Sequence, residues 1–121
     1  MSRFVIRKVN TGIKFDLYAG NGQDILSSEV YSSRAAVLRG IDSVRKNAAF
    51  ARFEDCTLTE KSAQPNPKFE LYRDKSGQFR FRLRSRNGKI IAVSGSYSTK
   101  AAAFSGMESV RKNAANAALE E

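Results

Sequence analysis

Ser43-Val44-Arg45-Lys46-Asn47-Ala48 and Ser109-Val110-Arg111-Lys112-Asn113-Ala114 are one six-residue string written twice, 66 positions apart. Working outward at the same offset, Tyr31-Ser32 returns as Tyr97-Ser98 and Asn21-Gly22 as Asn87-Gly88. Residues 12–48 align with 78–114 without a gap, with 17 identities in 37 positions. Before Gly12 the offset becomes 65, pairing Phe4 with Phe69 and Gly12 with Gly77, so the first turns differ by one residue. The chain is two copies of one module, and that repeat decides the fold.

Each copy opens with a short strand, Phe4–Arg7 or Phe69–Tyr72, and a Gly-containing turn. Strict alternation follows: Ile13, Phe15 and Leu17 share one face in copy one, and Phe79, Phe81 and Leu83 do so in copy two. Asn-Gly then predicts a hairpin with a type I′ turn, and a third strand runs over 25–31 or 91–97. Here the period changes to that of a helix. Ala36, Val37, Gly40, Ile41 and Val44 form one apolar stripe, and Ala102, Ala103, Gly106, Met107 and Val110 form its twin. Ser32 or Ser33, and Ser98 or Thr99, are the candidate N-caps. A mid-helix glycine costs about 1 kcal/mol against alanine, so Gly40 and Gly106 predict close approach of the helix to the sheet. Arg45-Lys46 and Arg111-Lys112 suit the negative end of their own helix, and Asn47 or Asn113 can take a left-handed cap.

After the first helix, 51–57 reads as a fourth strand, and the polar stretch holding both prolines is a linker. The second copy ends in Asn116-Ala117-Ala118-Leu119-Glu120-Glu121, which reads as a fraying helix end without a Phe53 equivalent. The organisation expected is a first β3-α-β repeat over 1–57, a linker over 58–67 and a second β3-α repeat over 68–121. The fold class is α+β, with two tandem repeats forming one largely antiparallel sheet and two helices on one of its faces.

The string Phe79-x-Phe81-x-Leu83, Asn87-Gly88, Ile91-x-x-Ser94-x-x-Tyr97, Gly106-x-x-Ser109-Val110, Asn113-Ala114 resembles the YegP-like family of small, mostly bacterial proteins of unknown function. Copy one carries the matching Phe15, Leu17, Asn21-Gly22, Ile25, Ser28, Tyr31, Gly40, Ser43-Val44 and Asn47. The resemblance implies paired β3-α-β units in one sheet, each lending its last strand to its partner. It implies no activity and no catalytic residues.

Composition narrows the chemistry. The 121 residues include 41% hydrophobic ones, eight Phe and four Tyr, which is enough for a packed core. The N-terminus has no apolar stretch of signal-peptide length, and no run is long enough for a membrane span; a cytoplasmic protein is expected. One cysteine, Cys56, allows no internal disulfide and fits a reducing compartment. With Glu54 and Asp55 just before it in the sequence, its thiol is expected to be inert. Histidine is absent, which removes Ser-His-Asp, Cys-His and His-based metal sites. No phosphate-binding glycine loop is present, and the carboxylates are scattered; Glu54 and Asp55, neighbours on a strand, face opposite ways. No catalytic residue, metal or cofactor is expected.

Net charge is +9, divided as +3 over 1–57 and +6 over 58–121. Its sharpest concentration is Phe79-Arg80-Phe81-Arg82-Leu83-Arg84-Ser85-Arg86. Period 2 turns the apolar residues inward and sets Arg80, Arg82, Arg84 and Arg86 in an outer row, about 6.6–6.8 Å apart. Arginine binds phosphate bidentately and stacks on bases, so with Lys89 and Arg73 this row is a candidate surface for nucleic acid or another polyanion. Copy one has Lys14, Asp16, Tyr18 and Gly20 there, so the row is not repeated, and an ordinary solvated sheet face would look similar. The function expected is a non-enzymatic binding module, monomer or homodimer. The alternative is an interaction domain working through strand exchange or homodimerisation.

Overall fold

The computed structural model describes residues 1–58 and 63–121, so part of the expected linker lies outside the described residues. The chain runs β1 (Arg3–Val9), β2 (Gly12–Tyr18), β3 (Asp24–Ser27), α1 (Arg34–Ala48) and β4 (Arg52–Asp55). Copy two runs β5 (Lys68–Arg73), β6 (Phe79–Arg84), β7 (Ile90–Val93), α2 (Lys100–Asn113) and β8 (Ala118–Glu120). One sheet holds all these strands in the order β4-β5-β6-β7-β3-β2-β1-β8. The meanders β1-β2-β3 and β5-β6-β7 are antiparallel and meet at a single Ser27↔Val93 pair. The outermost strands are parallel to their neighbours and exchanged: β4 leaves copy one to pair with β5, and β8 leaves copy two to pair with β1.

That exchange corrects the reading of the C-terminus. The tail is a strand, and Leu119 faces Phe4 in the register where Phe53 faces Phe69. Leu119 is the Phe53 equivalent at offset 66, an aliphatic residue in a three-residue strand where copy one has an aromatic.

The alternation expected in β2 and β6 holds. Phe15, Leu17, Phe81 and Leu83 are fully buried, joining Phe4, Phe69, Leu71, Val37, Val44, Met107 and Val110 in one core beneath both helices. Burying a phenylalanine contributes on the order of 2–3 kcal/mol. The Asn-Gly turns differ from expectation. Asn21 and Asn87 have negative φ, and only Gly22 and Gly88, each at φ 86°, are left-handed. The Gly22 N–H donates to Ala19 O (2.9 Å) and the Asn21 side chain accepts from the Gln23 N–H (2.9 Å), as in a three-residue loop closed by a left-handed glycine.

The third strands are shorter than expected. Ser28 Oγ accepts from the Phe15 N–H (3.0 Å) and donates to Glu29 O (2.7 Å), replacing a ladder partner and turning the chain aside. Ser94 does the same with Phe81 and Gly95. Tyr31 and Tyr97 rejoin the sheet as single bridges to Ile13 and Phe79.

Ser33 and Thr99 cap the helices, accepting from Ala36 N (3.1 Å) and Ala102 N (3.0 Å). Asn47 and Asn113 take no left-handed cap. Each amide instead donates back to the serine carbonyl four residues earlier, at 2.7 Å. The arginines of the repeated string also act differently from expectation: they cross to the other copy. Arg45 donates to Ala114 O and Ala115 O, both at 3.2 Å, and lies 4.8 Å from the Phe4 ring centroid. Arg111 donates to Ala51 O and lies 4.3 Å from that of Phe53. Each guanidinium thus satisfies carbonyls just past the end of the opposite helix.

Gly40 and Gly106 do mark close approach, but to aromatic rings. A Cβ on Gly106 would lie 2.5 Å from Tyr97 Oη and 2.9 Å from Phe81 Cε2; on Gly40 it would lie 2.6 Å from Tyr31 Oη and 3.0 Å from Phe15 Cε2. Overpacking of this kind costs about 1–3 kcal/mol, against about 1 kcal/mol of helix propensity regained. Gly106→Ala is expected to lower the unfolding free energy by a net of about 1 kcal/mol, read as a lower urea midpoint. Adding Tyr97→Phe, which removes the nearest atom, should recover part of that loss.

Candidate functional site: the open sheet face and the paired clefts

The sheet face away from the helices is organised by one carboxylate. Glu70, buried on β5, has Arg82 Nε at 2.7 Å and Arg84 Nε at 2.6 Å on the same oxygen, with Lys68 Nζ at 3.4 Å from the other. Burial works against the Glu70 anion, but the hydrogen bonds and charges of the two guanidinium groups outweigh it and hold the carboxyl below its usual range. Arg82 also stacks 4.6 Å from the Tyr72 centroid, and Arg84 donates to Gly88 O (2.7 Å). Arg80 donates to Ser94 O (2.9 Å) and has no carboxylate partner among the described residues.

Next to Glu70, Glu54 accepts from the Gln64 N–H (2.6 Å), Cys56 Sγ (3.1 Å) and Lys68 Nζ (3.0 Å). The Gln64 bond leads in holding its carboxyl down at about 2, against burial. Glu54, Cys56 and Glu70 bring potential ligand atoms within 4.8 Å of one another, yet a metal would have to displace Lys68 and two guanidinium groups. Asp55 points the other way, as expected, to Lys100 Nζ at 2.9 Å on α2.

The arginine row is three residues long. β6 ends at Arg84, Ser85 is buried, and the Arg86 N–H donates to Asn47 Oδ1 (3.2 Å) on α1. Period 2 stops with the strand, so Arg86 turns to the helix side. Lys89 lines a cleft on that side as well. Arg73, at the end of β5, stacks 4.7 Å from the centroid of Phe79, a core-face residue, and so also leaves the row. By register, the copy-two half of the open face carries Arg52, Lys68, Arg80, Arg82 and Arg84 against Glu54 and Glu70.

In copy one the corresponding face is balanced. Arg7 Nε meets buried Asp16 at 2.6 Å, and Asp24 lies alongside. Partial burial, reinforced by the Asp16 charge and a hydrogen bond between the two carboxyls, pushes Asp24 up to about 6. The carboxylates are therefore less scattered than the sequence suggests. Asp24 faces Tyr18 across the hairpin while Asp16 faces Ser27, a register that the bulge between them creates.

The helix side carries a pair of equivalent clefts. One, about 330 Å³, runs between Ala36, Arg39, Gly40 and Ser43 of α1 and Ser85, Asn87, Lys89 and Ile91 of the β6–β7 hairpin, with Glu29 and Tyr31 completing it. The other, about 530 Å³, runs between Ala102, Ser105, Gly106 and Ser109 of α2 and Ala19, Asn21, Gln23 and Ile25 of the β2–β3 hairpin, with Tyr97. The 66-residue offset carries every residue of the second cleft onto one of the first, and six of the nine pairs are identical. Sequence reading missed these clefts because each joins the helix of one copy to the hairpin of the other.

A family model described as a domain of unknown function (DUF1508) matches residues 9–55 and again 74–121. A UPF0339 protein of Pseudomonas aeruginosa is 32% identical over 121 residues, covering 99% of this chain and 96% of its own length. A UPF0339 protein of Treponema denticola is 59% identical over 54 residues, which is 45% of this chain but 93% of that protein. The solution NMR structure of yegP from E. coli, a protein of unknown function, superposes with a TM-score of 0.78 at 30% identity, covering 98% of this chain and 90% of that one.

An acid raised in the folded state holds its proton more tightly there than in the unfolded chain. Asp24 therefore contributes stability that is full below its ordinary value of 3.8 and lost as pH rises through about 6. Glu54 has the opposite sign, its contribution being lost as pH falls from 4.5 towards about 2. Thermal unfolding of Asp24→Asn against pH should show a higher Tm than the parent at pH 7.5 and a much smaller difference at pH 4.

Proposed function

We propose, from the premise that this chain belongs to the DUF1508 family of YegP-like UPF0339 proteins, that it is a non-enzymatic cytoplasmic module that binds single-stranded nucleic acid on the copy-two half of its open sheet face. The observation that carries this reading is the sharing of Glu70 by Arg82 and Arg84. One carboxylate holds two guanidinium groups in fixed orientation and cannot neutralise both, so positive charge is ordered and left in surplus. Lys68 is taken up by Glu54, and Arg80 adds a further cation whose partner among the described residues is a carbonyl. Tyr72, stacked with Arg82, offers the aromatic element that single-strand surfaces combine with cations.

Two further observations fit. The lone cysteine suits a reducing compartment, and no helix among the described residues is long and apolar enough to cross a membrane. The strand-exchange alternative is weaker, because β4 and β8 already find their partners within the chain.

Fluorescence anisotropy with mixed-sequence RNA and single-stranded DNA across a salt series tests the reading. Affinity should fall linearly in log–log form with salt. Arg82→Ala with Arg84→Ala should reduce the slope by about 1.4, near 0.7 for each lost phosphate contact. Binding that ignores both salt and these substitutions overturns it.

A further inference from the structure

We propose that the cleft between α1 and the β6–β7 hairpin is a binding site for a small phosphorylated, hydroxyl-bearing metabolite, separate from the open sheet face. The cleft is donor-rich. Arg39 and Lys89 make no side-chain ion pair among the described residues. The Tyr31 hydroxyl has no hydrogen-bond partner among them; burial and the Glu29 charge raise its pKa, so it remains a donor at neutral pH. Asn87 uses its Oδ1 within the turn, accepting from the Lys89 N–H (3.1 Å) and the Ser85 hydroxyl, which leaves its amide protons available.

The one acid in the lining, Glu29, sets the ligand class. Against two cations and one carboxylate, a dianionic phosphate monoester can take both cations, as charge-assisted bonds favour. The carboxylate then needs donors from the body of the ligand, and hydroxyl groups supply them. Ile91 and Ala36 give that body an apolar wall, and about 330 Å³ lies within the range of small-ligand sites.

The second cleft is a built-in comparison. It keeps Asn21 and Tyr97 where the first has Asn87 and Tyr31, but Gln23 stands for Lys89, Ser105 for Arg39 and Gly95 for Glu29. The architecture is repeated and the charges are not. These replacements are also the substitutions least apt to disturb folding, because the same frame already carries them.

Glucose 6-phosphate is a suitable probe, followed by amide chemical shifts in an NMR titration, with glucose and inorganic phosphate as separate arms. The Gly40 and Asn87 amides should shift saturably with the ester and the Gly106 and Asn21 amides should not. Arg39→Ser with Lys89→Gln should weaken binding at least tenfold. Gln23→Lys with Ser105→Arg should bring the Gly106 and Asn21 amides into the response. Equal shifts in both clefts of the parent protein, indifference to Arg39→Ser with Lys89→Gln, or no saturation below about 10 mM overturns the site. Inorganic phosphate binding as tightly as the ester, or glucose binding as tightly, overturns the ligand class.

Discussion

Reciprocal exchange of the outer strands is the constraint on which the rest of the architecture rests. At the centre of the sheet the two copies share only the Ser27↔Val93 pair, too little ladder to join them. They are held instead from outside and above. β4 of copy one closes the edge of copy two, laying Phe53 edge-on against Phe69 at 5.7 Å, and β8 returns the exchange through Leu119 and Phe4. Each helix must cross the centre to deliver its strand to the far edge, so it covers residues of both copies and the core is single.

The crossing arginines follow from the same path. A helix that ends above the other copy leaves its last carbonyls beside that copy's helix. Arg45 and Arg111 meet those carbonyls while stacking on Phe4 and Phe53, residues of the exchanged ladders. The repeated Ser-Val-Arg-Lys-Asn-Ala string is thereby explained by structure. Val44 and Val110 are core, the arginines span the copies, and Asn47 also links α1 to the β6–β7 hairpin through the Arg86 N–H. None of this requires a ligand.

How much could be read beforehand depended on whether the signal was local. The inward set Phe15, Leu17, Phe81 and Leu83, the helix caps to within one residue, and the tight glycines at 40 and 106 were all legible, because strand alternation and helix periodicity act within a few residues. The β8 strand was not, since its partner β1 lies more than a hundred residues away and a half-exposed Leu119 stands where copy one has Phe53. The arginine face was half legible. Alternation placed Arg80, Arg82 and Arg84 correctly, but Glu70 comes from another strand, and the end of β6 released Arg86. The Asn-Gly turns kept their position and changed their type, because Asn21 and Asn87 serve through side-chain oxygens in place of a left-handed backbone.

The pairing of β8 with β1 joins residues made more than a hundred positions apart in the order of synthesis. Until synthesis reaches position 118, Phe4 and Val5 lie on a ribbon whose outer side has not met its partner. Parallel contacts of such long sequence separation form slowly, since the loop must close before they reward it. A nascent chain therefore carries an open edge at β1 while everything between the two strands is being made, and a neighbouring nascent chain on the same message is the most available competitor for it.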